Sequence, residues 1–204
     1  MRAPASLEPR KRPVRANARA SVDRILDAAA ALLDESRFEA LTTIRIAERA
    51  QVNIASLYSY FPNKHAVLSA LSDRMAERQL ASVRRSMSEY SDWRDALDSG
   101  LDAFVELVLV EPGFSALANA VRACPSLQPL ADRSVDPIAR LVAEGLRERG
   151  AGVAPQTARA IARVVVEAGA GVVNVARVSE PRERKRLIQE LKVMIRSYLD
   201  HYLA

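Results

Sequence analysis

The chain has 204 residues dominated by Ala, Leu, Arg and Glu, with only 7 Gly and 5% aromatic residues. These are strong helix formers, so the composition points to an all-α protein with room for a sizeable core. One cysteine excludes an intrachain disulfide framework. With no secretory signal and no apolar run of about 18 residues, a soluble cytoplasmic protein without membrane contact is expected.

The net charge of +5 is local. Residues 1–20 hold Arg2, Arg10, Lys11, Arg12, Arg15 and Arg19 against Glu8 alone, and beyond them acids and bases balance. With three prolines and few large apolar residues, this segment is expected to be a disordered basic arm. Ser21 is the expected N-cap of a first helix, in which Ile25, Ala28, Ala29, Leu32 and Leu33 recur at helical spacing to about Ser36. Thr42 caps a short second helix through Ile46 and Ala50. After a turn at Gln51-Val52, Asn53 caps a short third helix over Ile54–Tyr60.

Pro62-Asn63 ends that helix, and Asn63 can cap a long fourth from about Lys64 to Glu89. A fifth follows Ser91 and stops at Glu111-Pro112-Gly113. A sixth covers Phe114–Ala123, and a seventh Leu127–Arg149, with a bend expected at Pro137. The eighth and ninth begin near Pro155 and Pro181, where proline suits the first helical turn. The organisation expected is therefore an arm over 1–20, a helix-turn-helix head over 21–66 and a helical body over 67–204.

Two short helices joined by a tight turn form the helix-turn-helix pattern. The stretch Thr42, Ile46-Ala47, Ala50-Gln51-Val52-Asn53, Ser56-Leu57-Tyr58-Ser59-Tyr60-Phe61-Pro62-Asn63-Lys64 resembles the signature of the TetR (tetracycline-repressor) family. The resemblance covers about residues 21–70. It implies a three-helix DNA-binding head, a linking fourth helix, and a helical body that binds a ligand and dimerises. The family usually has Gly where this chain has Gln51, and often Gly where it has Ala55. A non-Gly residue at that turn carries a modest cost for positive φ.

Physical reasoning gives candidate roles in the head. Leu57 and Phe61 face inward on the third helix, leaving Ile54, Ala55, Ser56, Tyr58 and Tyr60 outward. Ser and Tyr hydroxyls suit phosphate, while Ile and Ala suit a thymine methyl. Lys64 at the start of the fourth helix adds charge to a positive helix end. Thr42 and Asn53 can cap and also meet phosphate, and Arg45 is placed for a base edge or phosphate. Arg15 and Arg19, nearest the first helix, are the best candidates for a minor-groove or backbone tether.

In the body, Ala168-Gly169-Ala170-Gly171 gives small side chains where another helix can approach closely. With the family's pairing of its last two helices, this makes Val164, Ala168, Gly171, Val172, Val175, Leu191, Ile195 and Tyr198 the candidate homodimer interface. A two-fold dimer matches a palindromic double-stranded operator. The family also implies a small-molecule cavity in the body, with candidates Trp93, Phe104, Val108, Phe114, Leu117, Asn119, Arg122, Glu167 and Asn174; Arg122 is a possible partner for the Glu167 carboxylate. No cofactor or metal is implied. The expected function is a ligand-responsive regulator, a repressor released from its operator by an unidentified effector. The competing non-enzymatic reading is a helical protein–protein adaptor with only non-specific DNA binding. Two histidines, His65 in the motif and His201 near the chain end, with no nucleophile elbow or phosphate loop, argue against an enzyme.

Overall fold

The computed structural model describes residues 6–11, 15–36, 38–149 and 152–203. Among them every regular element is a helix. The helices are α1 (Ala16–Glu35), α2 (Thr43–Arg49), α3 (Ile54–Tyr60), α4 (Lys64–Glu89), α5 (Trp93–Val110), α6 (Phe114–Ala123), α7 (Pro129–Glu148), α8 (Pro155–Val178) and α9 (Pro181–Asp200), with 3-10 turns over Phe38–Ala40 and Pro125–Leu127. No single helix among the described residues is long and apolar enough to cross a membrane.

The chain divides into two compact units. One comprises residues 1–75 and 111–133, the other 76–110 and 134–204. The boundary thus differs from the sequence expectation, because α6 and the turn after it join the head. The cause lies at Gly113. This residue has φ +75°, and a Cβ there would come within 2.7 Å of the Ala30 Cα and 2.8 Å of its carbonyl oxygen. Only glycine tolerates both the left-handed backbone and that approach to α1. The Gly113 N–H then donates to Asp34 Oδ2 at 2.6 Å, and Leu117, Ala120 and Val121 of α6 enter the head core.

In the first unit, α1 buries Ile25, Leu26, Ala29, Leu32 and Leu33, α2 buries Ile46 and Ala47, and α3 buries Leu57. Phe61, Val67, Leu68 and Leu71 complete the same core. The first helix begins at Ala16, five residues before the expected cap. Ser21 sits inside it and donates to the Asn17 carbonyl one turn back, at 2.9 Å.

The basic arm also departs from expectation. Residues 6–10 lie along the head: Leu7 packs on its core, Asn63 Nδ2 donates to the Ser6 carbonyl at 3.1 Å, and Glu8 pairs with Arg133 of α7 at 2.8 Å. Arg2 and Arg12 lie outside the described residues.

The second unit is built on α8 against α9, with α5 packed on both. A charged ladder joins α5 to α9. Buried Lys192 pairs with Asp102 at 2.6 Å, Arg196 Nε donates to Asp98 at 2.9 Å, and Arg94 pairs with Asp200. Spacing of four along both helices puts these charges in register. Pro129, Pro155 and Pro181 open α7, α8 and α9. Pro137 lies inside α7, which begins two residues later than expected because Leu127 closes a separate 3-10 turn.

Candidate nucleic-acid interface and apolar cavity

The helix-turn-helix is held by local polar contacts. Thr42 accepts from the Arg45 N–H at 3.2 Å, and Asn53 from the Ala55 N–H at 2.8 Å, so both expected caps form. Gln51 at the turn takes φ +53°, the conformation for which glycine is ordinarily used. Its N–H reaches the Glu48 carbonyl, and that of Val52 the Ala47 carbonyl. Asn63 caps α4 through the Ala66 N–H at 2.9 Å.

With Leu57 pointing inward, α3 presents Ile54, Ala55, Ser56 and Tyr58 to solvent. Thr42, Arg45 and Asn53 are exposed on the same helix pair, and Arg15 and Arg19 are exposed at the start of α1. The Tyr58 hydroxyl of α3 lies 2.9 Å from the Thr43 hydroxyl of α2. Arg45 Nη1 donates to the Ala40 carbonyl at 2.8 Å. Lys64 Nζ donates to the Phe38 carbonyl at 3.1 Å and stands 4.2 Å over the Phe38 ring, which anchors it while leaving two ammonium protons for another acceptor.

Tyr60 departs from the outward placement expected for it. It is half-buried, and its ring packs on the head core beside Phe61. Sequence reasoning also missed Arg10. Its backbone N–H donates to the Tyr60 carbonyl at 2.7 Å and its guanidinium to the Tyr58 carbonyl at 3.1 Å. A cation thus satisfies the free carbonyls at the C-terminal end of α3, where the helix dipole favours positive charge. No short-range pattern marks it, because its partners lie about fifty residues away.

Within the second unit, α4, α5, α7, α8 and α9 line a partly open cavity of about 120 Å³. Of the expected ligand residues, Trp93 and Phe104 line it, while Val108 is buried away from its wall. Phe114 and Leu117 instead pack in the head, because α6 turns toward α1. Asn119 and Arg122, on the same helix, are exposed. Glu167 pairs with Arg163 at 3.0 Å, one turn back on α8, rather than with Arg122, and neither it nor the half-exposed Asn174 lines the cavity. The lining that sequence reasoning missed includes Val83 and Met87 of α4, Ile138, Leu146 and Arg149 of α7 and its end, and Leu199 of α9.

The expected dimer residues divide in two. Leu191 and Ile195 are 2% and 1% exposed and belong to the unit's own core, since the inward stripe of α9 serves α5 and α8. Val164 and Val175 are 53% and 56% exposed; Ala168, Gly171, Val172 and Tyr198 are half-exposed. On α8 the positions 164, 168, 171, 175 and 178 form one open stripe, and Val193 and Met194 are exposed on α9.

Comparison with known proteins gives two family matches: residues 25–71 match "Bacterial regulatory proteins, tetR family", and residues 92–199 match "Tetracyclin repressor-like, C-terminal domain". A crystal structure of a TetR-family transcriptional regulator from Streptomyces coelicolor is 33% identical, covering 90% of this chain and 99% of that one with a TM-score of 0.71. The tetracycline repressor class A from transposon 1721 of Escherichia coli is 38% identical over 86 residues, 42% of this chain and 38% of that protein. The repressor KstR of Rhodococcus jostii is 49% identical over 49 residues, 24% of this chain and 23% of that protein. Both repressor matches therefore span well under two thirds of the relative's length.

Proposed function

The chain belongs to the tetR family of bacterial regulatory proteins, and from that premise we propose that it is a ligand-responsive transcriptional repressor that binds a palindromic operator as a homodimer and leaves it when a small molecule occupies the body cavity. The observation that carries this reading is the outer face of α3. Asn53 caps it, Leu57 fixes its inward side, and Ile54, Ala55, Ser56 and Tyr58 stand free for a major groove. Thr42 and Lys64 supply phosphate contacts on either side, with Arg45 beside them for phosphate or a base edge. Arg15 and Arg19 extend the charge toward the adjacent backbone or minor groove.

The open stripe of α8 supports the dimer. A Cβ at Gly171 would meet nothing within 4 Å, so a second helix has room to approach there. Val164, Ala168, Val172 and Val175 supply apolar cover, with Val193, Met194 and Tyr198 beside them on α9. These residues take the place of Leu191 and Ile195 in the interface first expected.

Helix α4 is the route from effector to operator. Its residues 64–75 belong to the head unit, and its residues 76–89 contribute Gln79, Val83 and Met87 to the cavity. An effector that prefers one arrangement of that helix shifts the population of heads held at operator spacing, by no more than its differential affinity for the two states.

Selection of random duplex DNA by the purified protein at two salt concentrations tests the proposal. The expected product is a palindrome whose half-sites lie about one turn, roughly 34–36 Å, apart. Recovery of only weak, sequence-blind, salt-sensitive binding overturns it in favour of a helical adaptor with a basic tether.

A further inference from the structure

The cavity wall is almost wholly apolar. Among the described residues that line it, Gln79, Arg149 and the Trp93 indole N–H supply the only polar nitrogen or oxygen side-chain atoms. Arg149 is unusual among them. Its Nη1 and Nη2 reach the Gly145 and Met87 carbonyls only at 3.5 and 3.4 Å. Its Nε is buried without a hydrogen-bond partner, and among the described residues no carboxylate pairs with it. The neighbouring cation, Arg94, stacks 4.4 Å over the Trp93 ring and is already paired with Asp200. A half-buried guanidinium with an idle donor beside apolar walls leaves desolvation uncompensated, and an anion brought by a ligand supplies what is missing.

We propose that the effector is an amphipathic anion, an extended apolar body ending in one carboxylate, held with its chain against the aliphatic wall and its acid group on Arg149. This rests on the reading of the cavity as the effector site and narrows it to a ligand class. The α4 residues Val83 and Met87 then touch the apolar body, while Arg149 is tied to the Met87 carbonyl of the same helix. Pairing of Arg149 with the acid competes with that tie, so binding acts on α4 from both its side chains and its backbone.

Trp93 is the only tryptophan in the chain and lines the cavity, so its fluorescence reports filling directly. Decanoate, 1-decanol and decylammonium share one chain and differ in charge at its end. Titrated into the full-length protein above the pKa of the acid, decanoate is expected to bind on the order of tenfold more tightly than decanol, and decylammonium more weakly than either. Arg149→Gln should erase the preference for the acid over decanol, and Arg149→Lys should keep most of it. Equal binding of acid and alcohol to the wild-type protein overturns the inference and leaves the cavity reading standing. So does a preference that survives Arg149→Gln. No Trp93 response to any of the three probes overturns both. Should Arg149→Gln fail to fold by circular dichroism, the ranking of the three probes on the wild-type protein decides.

Discussion

Arg10 closes the C-terminal end of α3: its backbone N–H donates to the Tyr60 carbonyl at 2.7 Å. Its guanidinium takes the Tyr58 carbonyl as well. The arm is therefore two things in series, a clasp on the reading helix and, nearer α1, exposed charge. Arg10→Ala should cost about 0.5–1 kcal/mol of stability, the range for an exposed cation at a helix C-terminus. It should also leave the slope of log affinity for DNA against log salt unchanged. Arg15→Ala or Arg19→Ala should do the reverse, with stability intact and the slope reduced by about one per subunit. A slope that falls with Arg10→Ala and holds with both others would exchange these roles.

Tyr58 is the side chain in which fold and contact compete. Its hydroxyl is shared with Thr43 across the helix pair, yet the residue is exposed on the face assigned to DNA. Tyr58→Phe keeps the ring and removes the hydroxyl. Stability should change by less than about 1 kcal/mol, while affinity for the selected operator falls several-fold in an anisotropy titration. Unchanged affinity would confine the hydroxyl to its partnership with Thr43.

The helix-turn-helix was legible because its determinants are local: a cap at Thr42, another at Asn53, and an inward Leu57 fixed by the 3.6-residue period. Even the positive φ of Gln51 follows from its place in the motif. The cavity lining was legible only at Trp93 and Phe104, and the rest was missed for a reason visible at one residue. The apolar face of α6 looks the same whether it lines a cavity or packs on α1. The choice is made at Gly113, whose φ and approach to Ala30 depend on a helix eighty residues earlier. Leu191 and Ile195 failed similarly, since an apolar stripe on α9 does not say which of two neighbours covers it. Arg149 carried no signal at all, because a charge near a helix end ordinarily meets water.

Gly113 yields a direct test. Gly113→Ala adds a methyl group against backbone atoms of Ala30 and keeps a left-handed φ. The cost should be about 2–4 kcal/mol, combining αL strain with overpacking, and Ala30→Gly should not rescue it because the Cα and carbonyl remain. Gly100→Ala in α5, where a Cβ meets nothing within 4 Å, should instead be neutral or stabilising by up to about 1 kcal/mol. Urea denaturation of the two variants checks the contrast. Similar midpoints would mean that α6 does not depend on this turn.

The apolar stripe makes a second pair of variants informative. Val164→Asp places a charge on the open face of α8, where the side chain is already half in water, so the monomer fold should survive while sedimentation shows loss of the dimer. Ile195→Ala removes a buried side chain and should cost about 2–5 kcal/mol in the fold itself. A dimer that persists in Val164→Asp would move the interface elsewhere.

His65 sets a pH dependence in the head. Its ring meets Phe38 edge-on at 5.9 Å. Burial, and then the neighbouring Lys64 charge, hold its pKa below the ordinary 6.5. The folded protein therefore keeps His65 neutral at a pH where the unfolded chain has begun to protonate it. Below about 6.5 the unfolded state binds more protons, so stability rises with pH and is lost on acidification through that window. The carboxylate of Glu35, which its hydrogen bond to Arg49 holds below 4.5, loses its contribution only at lower pH and does not interfere. His65→Phe keeps an aromatic ring beside Phe38 and removes the titration. Urea midpoints at pH 7.5 and 5.5 should then show a smaller acid-induced loss in the variant than in the wild-type protein. Equal losses in the two would transfer the effect to other groups and leave His65 with packing alone.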